Sequence, residues 1–597
     1  MWTYTPPLRD IEYVIREWLE ADQDWAKIPA FSGLDMPTAQ QVLAEGGRFA
    51  AEVLAPLNAS GDLEGCHYHE GVVTTPKGFP QAYKEYVDAG WPSLACSPES
   101  GGQGLPQLLN AALFEMMCAA NHAFTMYPGL AHGAYECVRT SGSAALKDAY
   151  LPRIVSGESL VTMCLTEAHA GSDVGLLRTR AEPDPSSQAA DGRYRISGTK
   201  IFISGGAHDL TSEIVHLVLA RLPDAPAGTR GISLFLVPSA VTEAGVARPN
   251  SIRCDGIEKK MGIKGSATCV ITFDGAAGWL IGEPNRGLAA MFVMMNSARL
   301  HVALQGLAHT EAACQNATQY ANERLQMRAV SPGGVAQSAG RPKTGADLII
   351  QHPPIRRALL ELRAFTQGER ALGYWIAHLI DHAEQHPDAG LRAHCHQLAS
   401  LLTPLAKAFF TENGFELASR ALQVFGGYGY VHDYAIEQTL RDSRIPLIYE
   451  GTNEIQAVDL FVRKVLGDEG RALQALLKAV RDEAVACDGV VGCREFADLL
   501  RANVSALAEA VAEVVKHSAA DPELPYRVAG DFVRALGLLM VGFAWAKSAR
   551  LAKPRVQSDA FSRDKWVTAQ FFFDYLLPGV GHHLTLMGVA RKGLAYL

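Results

Sequence analysis

The stretch MFVMMNSARLHVALQGLAHTEAACQNATQYANERLQM, residues 291–327, runs for about ten turns without a proline. A helix of that length suits a helical bundle. Helical spacing resumes near residue 354 and continues through the 420s. Between the two lies AVSPGGVAQSAGRPKTGA (329–346), rich in Gly, Ser and Pro, which reads as an exposed loop or a disordered insertion. Beyond residue 470, LQALLKAVRDEAVA sets Leu473, Leu476, Leu477 and Val480 on one face, and further amphipathic segments follow.

The N-terminal part is also helical in pattern. MPTAQQVLAEGGRFAAEVLAPL and LPQLLNAALFEMMCAAN space apolar residues by three and four, with Gly and Pro between them. From about residue 161 the period shortens toward two in YRISGTKIFIS, IVHLVLARL, GISLFLVPS and CVITFDG, as in a compact antiparallel β domain. The sequence therefore predicts an α+β chain with a helical domain at 1–160, a β domain at 161–282, a helical bundle at 283–469 and an added helical domain at 470–597.

Composition narrows the class. Of 597 residues, 48% are apolar and 20% charged, as in a globular enzyme, and the net charge of −9 argues against a general nucleic-acid binder. Residues 547–597 carry eight Lys/Arg against three Asp/Glu, an excess that a solvated helical face explains. The eleven cysteines form no C-x-x-C pair, so neither a disulfide framework nor a zinc finger is indicated and a reducing cytoplasm fits. No signal-peptide pattern opens the chain. FFFDYLLPGVGHHLTLMGVA (571–590), broken by Asp574, Pro578, His582 and His583, reads as a buried helix pair rather than a membrane span. The closely spaced pairs His67/His69, His394/His396 and His582/His583, and the lone His169, offer no convergent ligand set, so no metal site is expected.

Three segments carry candidate chemistry. LTEAHAGSDVG (165–175) is either an ordinary hydroxyl-rich loop or a turn that donates hydrogen bonds to a phosphate or a flavin edge. FGGYGY (425–430) lacks G-x-G-x-x-G spacing and follows a helical pattern, so it is a helix C-cap and turn or a loop that approaches a cofactor. In RDSRIPLIYEGTNEIQ (441–456), Glu450 follows an apolar run and precedes Gly451, as a capping acid or as a base held away from water. No P-loop, G-x-S-x-G or H-E-x-x-H occurs.

LTEAHAGSD, GTKIFIS, LQVFGGYGY and IYEGTNEIQ, in that order across helical, β and bundle domains, resemble the acyl-CoA dehydrogenase family over residues 40–465. The length resembles its subgroup of about 600 residues. The resemblance implies an FAD-dependent enzyme of fatty-acid β-oxidation that places a trans α,β double bond in an acyl-CoA. Its four-helix bundle would carry the base, which lands on Glu450; relatives with the base on the long helix have it just before the arginine matched by Arg299, where this chain has Ala298. The same resemblance puts Met163, Leu165, Thr166, Phe202 and Ser204 around the flavin ring, and Ser172 beside CoA and the FAD phosphates. It puts Arg324, Gln423 and Gly427 toward a neighbouring subunit's FAD, Thr452 and Glu454 near the FAD phosphates and adenosine, and Arg299, Glu450 and Gly451 at the substrate. Phe202 stands where the family commonly has Trp, and Met163 where it has an aromatic. A homodimer or larger oligomer follows, with an electron-transferring flavoprotein as acceptor. An oxidase using O₂ and a DNA-associated flavoprotein are the alternatives within the fold.

Overall fold

A computed structural model describes the chain apart from residues 1, 186–191, 244–245, 331–344 and 594–597, so most of the loop expected at 329–346 lies outside the described residues. The chain divides into two compact units, residues 45–301 and residues 1–44 with 302–597.

The first unit is built on a seven-stranded sheet: β1 Ser159–Cys164, β2 Arg180–Pro183, β3 Arg193–Ser204, β4 Glu213–Ala220, β5 Ser233–Pro238, β6 Ile252–Ile257 and β7 Thr268–Ile281. The order is β1-β4-β5-β7-β3-β2, with β6 also paired to β7. The expected antiparallel arrangement holds except at β1 and β4, which run parallel from Ser159↔Glu213 to Cys164↔Val218. The long crossover through β2 and β3 that separates them makes a parallel return possible. β1, β4 and β5 are buried at every position, whereas β3 alternates. Apolar clusters cover both faces of the central strands: Leu217, Leu219, Leu234 and Leu236 on one side, Val218, Phe235, Val237 and Phe273 on the other.

The second unit is helical. Its main elements are α1 Gly287–Glu323, which gives it the residues from Val302 on, α2 Pro353–Gln385, α3 Ala389–Phe425, α4 Asn453–Val458 and α5 Leu524–Ala552. α1 ends at Glu323, short of the expected 327, because the chain turns extended at Leu325, which bridges Leu348, and Met327 takes a positive φ of 59°. Asp388 caps α3 by accepting from the Leu391 N–H. α4 continues into a π-helical turn, Asp459–Leu466, completing the four-helix bundle.

α1 and α3 approach backbone to backbone. A Cβ on Gly306 would lie 2.3 Å from the Phe410 carbonyl oxygen, and one on Gly414 would lie 2.9 Å from Gly306 Cα. Only hydrogen at both positions lets the backbones meet.

The C-terminal helices pack onto this bundle. α5 is almost wholly buried, and its Trp545 donates from Nε1 to the Ala364 carbonyl on α2 at 2.9 Å. Residues 1–44 belong here too: Trp18 meets Trp375 and Phe543 edge-on. Much of the basic excess at 547–597 is consumed inside the unit, Lys565 by Asp10, Arg550 by Glu483, Arg555 by Glu17, and Lys547 and Lys553 over the rings of Trp18 and Trp566. Gly287–Glu323 and Leu524–Arg555 are long and apolar enough to cross a membrane, but 61% and 83% of their apolar windows are buried within the protein. The expected buried pair at 571–590 is buried only in its first half. In the helix Gly579–Val589 only Val580 and Met587 are buried, because Pro578 redirects the chain and leaves the remaining face outward.

Gly306→Ala is expected to cost about 2 kcal/mol, because the new methyl must push two backbones apart. Chemical denaturation checks this; an unchanged midpoint would mean the helices do not meet there.

Candidate active site

Each unit holds part of the expected constellation. In the sheet unit, the 165–175 loop leaves β1 and is stapled to β3. The Ile201 N–H donates to the Thr166 carbonyl at 2.9 Å, and Lys200 Nζ donates to the Leu165 carbonyl at 3.0 Å and to Glu167 at 2.9 Å. Glu167 also accepts from the N–H groups of Arg178 and Thr179 and from the Thr179 hydroxyl. Burial alone would raise this carboxyl, but Lys200 and the surrounding donors overcome it and hold it down at about 2. The sequence gives no sign of Glu167 and Lys200 as a pair; a glutamate in a glycine-rich loop looks exposed, and its partner is 33 residues away.

The loop spends part of its donor set on itself. Glu167 and Ala170 exchange both backbone hydrogen bonds, and Asp173 accepts from the Gly175 N–H. His169 lies within 3.1 Å of the Leu176 carbonyl. Ser172 is exposed, Leu165, Thr166 and Ser204 are half-buried, and Met163 is buried at the end of β1. Beside the staple, β3 bulges between Lys200 and Ile203, and Phe202 takes a φ of +60° with 59% of its surface exposed. A large aromatic with left-handed backbone in a strand is strained by about 1 kcal/mol or more. Such strain is retained where a side chain must be presented outward. The exposed Phe202 ring, with the half-buried Ser204 two residues on and Thr166 tied to Ile201, is a set of apolar and hydroxyl groups whose chemistry suits an isoalloxazine ring.

In the helical unit, Glu450 occupies an elbow. The apolar run before it forms a short 3₁₀ turn, Ile445–Leu447, with Pro446 buried but Ile448 47% exposed. Glu450 itself is half-buried in the chain, so the expected dry setting is only partly built from its own neighbours. Glu450 and Gly451 both take positive φ, 54° and 85°, before Thr452 caps α4 by accepting from the Ile455 N–H at 3.4 Å. The cap is therefore Thr452, leaving the Glu450 carboxylate out of that role.

Buried polar groups hold the elbow. Gln456 donates to the Glu450 carbonyl at 2.8 Å, and Lys407 on α3 donates to the Gly451 carbonyl at 2.7 Å and to Asn453 Oδ1 at 3.0 Å. Asn453 in turn accepts from Thr411 and donates to the Ala408 carbonyl. On the other side the Tyr449 hydroxyl donates to Gln305 on α1 at 2.5 Å. Lys407 and Gln305 sit next to the glycine crossing, so helix packing fixes the backbone of Glu450. Glu454, at the start of α4, is held below its ordinary value by hydrogen bonds from its own backbone N–H and Thr452.

Arg324 lies over the Tyr428 ring at 5.3 Å, which joins it to Gly427 and Gln423 at the exposed end of α3. FGGYGY is a helix C-cap and turn, with Gly426 at φ 60° ending α3, and it leaves Tyr430 86% exposed. Arg299 is buried on α1, 6% exposed.

Consecutive family models cover nearly the whole chain. The acyl-CoA dehydrogenase N-terminal, middle and C-terminal domains match residues 36–158, 162–276 and 285–464, and an acetyl-CoA dehydrogenase C-terminal-like domain matches 462–595. The chain belongs to the acyl-CoA dehydrogenase family. Within it, the chain is 40% identical to a 3-methylmercaptopropionyl-CoA dehydrogenase of Ruegeria pomeroyi, over 96% of each chain. It is 33% identical to a broad-specificity linear acyl-CoA dehydrogenase of Mycobacterium tuberculosis, over 92% of this chain and 91% of that one. An acyl-CoA dehydrogenase of Bacillus anthracis, solved in complex with FAD, shares the fold at a TM-score of 0.73 with 20% identity, over 95% of this chain and 90% of that one. The chain is thus an oxidoreductase of this family, in the subgroup with the extra C-terminal domain.

The Glu167 carboxylate adds stability that is present above about pH 4.5 and is lost as the pH falls toward about 2, since folding depresses its proton affinity. Acid titration of unfolding should show this slope in the wild type and lose it in Glu167→Gln. Lys200→Met, which strands the carboxylate, should cost about 3–5 kcal/mol.

Proposed function

We propose that this protein is an FAD-dependent acyl-CoA dehydrogenase in which Glu450 removes the α-proton of a thioester. The observation that carries the reading is the elbow: a carboxylate on left-handed backbone, fixed by Lys407, Gln456 and Thr452, at the glutamate that the sequence resemblance implies is the base. Bound FAD would supply the acceptor for the hydride that leaves the β-carbon.

The chain's own groups have separate tasks. Phe202, Met163 and Leu165 would form the wall against the ring, with the Thr166 and Ser204 hydroxyls at its polar edge. Ser172 and Arg299 would bind the CoA side, and Thr452 and Glu454 the FAD phosphates and adenosine. Glu450 would accept the proton at its carboxylate, while its backbone N–H would help polarise the thioester carbonyl, where negative charge develops. Ordinary carboxylates, with pKa near 4.3, are weak bases for a thioester α-proton. Exclusion of water by a closed-over acyl chain would make Glu450 stronger while substrate is in place. Gly451, whose added Cβ would meet Gln456 Nε2 at 2.6 Å, keeps the carbonyl of Glu450 on that amide.

Further parts of the reading rest on exposed chemistry. Arg324, Gln423 and Gly427, gathered around Tyr428 at the end of α3, would reach the FAD of a second copy, so at least a homodimer is proposed. An electron-transferring flavoprotein is proposed as acceptor. Eleven free thiols support a reducing, cytoplasmic setting. The relative in Ruegeria makes 3-methylmercaptopropionyl-CoA a substrate to test beside linear acyl groups.

Acyl-CoA should bleach the flavin of the purified protein anaerobically, and a survey of chain lengths with 3-methylmercaptopropionyl-CoA included would define the substrate. Unchanged absorbance with all of them, flavin being bound, would sink the reading. Glu450→Gln should keep FAD and acyl-CoA binding yet slow flavin reduction by about 10²-fold or more; retained reduction would show that another group takes the proton.

A further inference from the structure

A second chemically distinct cluster lies in the helical unit, and no step of the proposed reaction uses it. His378 and His382 stand one turn apart on α2, with Asp24 brought to them by the short N-terminal helix Ala21–Trp25. His378 Nε2 is 3.1 Å from Asp24 Oδ2, His382 Nε2 is 3.3 Å from the same oxygen, and the two nitrogens are 3.1 Å apart. The imidazole planes cross at 84°. Both histidines are buried and Asp24 is half-buried.

Three features separate this arrangement from an ordinary hydrogen-bonded triad. The first is convergence: both ring nitrogens aim at one carboxylate oxygen and at each other. If both carry protons, two donors face each other at 3.1 Å; if one does, the other nitrogen's lone pair faces the carboxylate. A divalent ion at the centre satisfies all three lone pairs together. The second is size. Ligands at about 2.0–2.1 Å from a tetrahedral ion are about 3.3 Å apart, and the three edges here are 3.1, 3.1 and 3.3 Å. The third is rigidity. Trp18 against Trp375 and the buried Trp25 hold the N-terminal segment on α2 beside the ligands, while Lys27 occupies the other carboxylate oxygen of Asp24 at 2.9 Å.

We propose that Asp24, His378 and His382 form a binding site for a borderline divalent ion of the Zn²⁺ type, with the fourth position taken by water on the half-exposed Asp24 side, clamping the N-terminal segment to α2. Two imidazoles and one carboxylate suit such an ion better than Mg²⁺ or Ca²⁺, which prefer all-oxygen shells. Neither Nδ1 atom has a hydrogen-bond partner among the described residues, so the outer shell that commonly strengthens such sites by 10–100-fold is missing. The site should therefore bind in the micromolar range. Nothing in the sequence marks the pair, because its third ligand lies 354 residues away from His378.

The test uses full-length flavin-loaded protein, stripped with a chelator, dialysed and titrated with Zn²⁺ against a chromophoric indicator. One equivalent should bind near micromolar, and Co²⁺ should give the visible absorption of a tetrahedral nitrogen/oxygen site without thiolate charge-transfer bands in the near ultraviolet. Asp24→Asn and the double variant His378→Gln/His382→Gln should each lose at least tenfold in affinity, whereas His394→Gln/His396→Gln should not. Absence of a wild-type equivalent, a thiolate spectrum, or equal binding by the double variant would overturn the site. Because the wild-type Co²⁺ spectrum is an independent reading, the proposal stays falsifiable if a variant misfolds.

Discussion

The contact between Gly306 and Gly414 governs the helical unit. Two 37-residue helices meet there with no side chain between their backbones. That closeness decides where the neighbouring residues reach. Gln305 on α1 and Lys407 on α3 flank the crossing, and they hold Tyr449 and Gly451, the residues on either side of Glu450. A carboxylate on an irregular turn would ordinarily wander. Here its backbone is tied to residues beside a close helix crossing, so its position depends on packing rather than on the turn's own conformational preference.

The sheet unit reaches a similar end by electrostatics. The Glu167–Lys200 pair is buried, and such a pair returns little net stability after desolvation. Its value is geometric, because both partners also bind backbone: Lys200 takes the Leu165 carbonyl and Glu167 takes two N–H groups. Breaking it would release the loop and leave a charge without compensation. Phe202 and Glu450, non-glycine residues with left-handed backbone, are thus each braced by buried hydrogen bonds nearby. The bracing offsets strain of about 1–3 kcal/mol apiece, as is common where a side chain must face a ligand.

Much of this was legible in the sequence, for identifiable reasons. The proline-free run at 291–327 and the change to period two near 161 are averages over many residues, so they survive local exceptions. The exceptions are where single interactions decide: Leu325 pairing with Leu348 ended α1 early, and β1 lay parallel to β4 because of a pairing distant in the chain. Glu450 was visible as a carboxylate between an apolar run and a glycine. Lys407 was not, since a lysine inside an apolar helix carries no sign of the carbonyl it will meet 44 residues on. Asp24 with His378 is the extreme case, a cluster made only by tertiary folding.

The partial exposure of Glu450 bears on how such a base would work. A carboxylate sealed permanently in apolar surroundings tends to take up a proton and cease to be a base, because burial penalises its charged form. One that is open to water until substrate arrives stays ionised and ready. In the proposed reaction the acyl chain would complete the apolar wall begun by Pro446 and the exposed Ile448, so the rise in basicity would coincide with the presence of the proton to be removed. On that reading the elbow would supply what a static wall cannot: a fixed backbone at Glu450 and a carboxylate whose surroundings substrate would change.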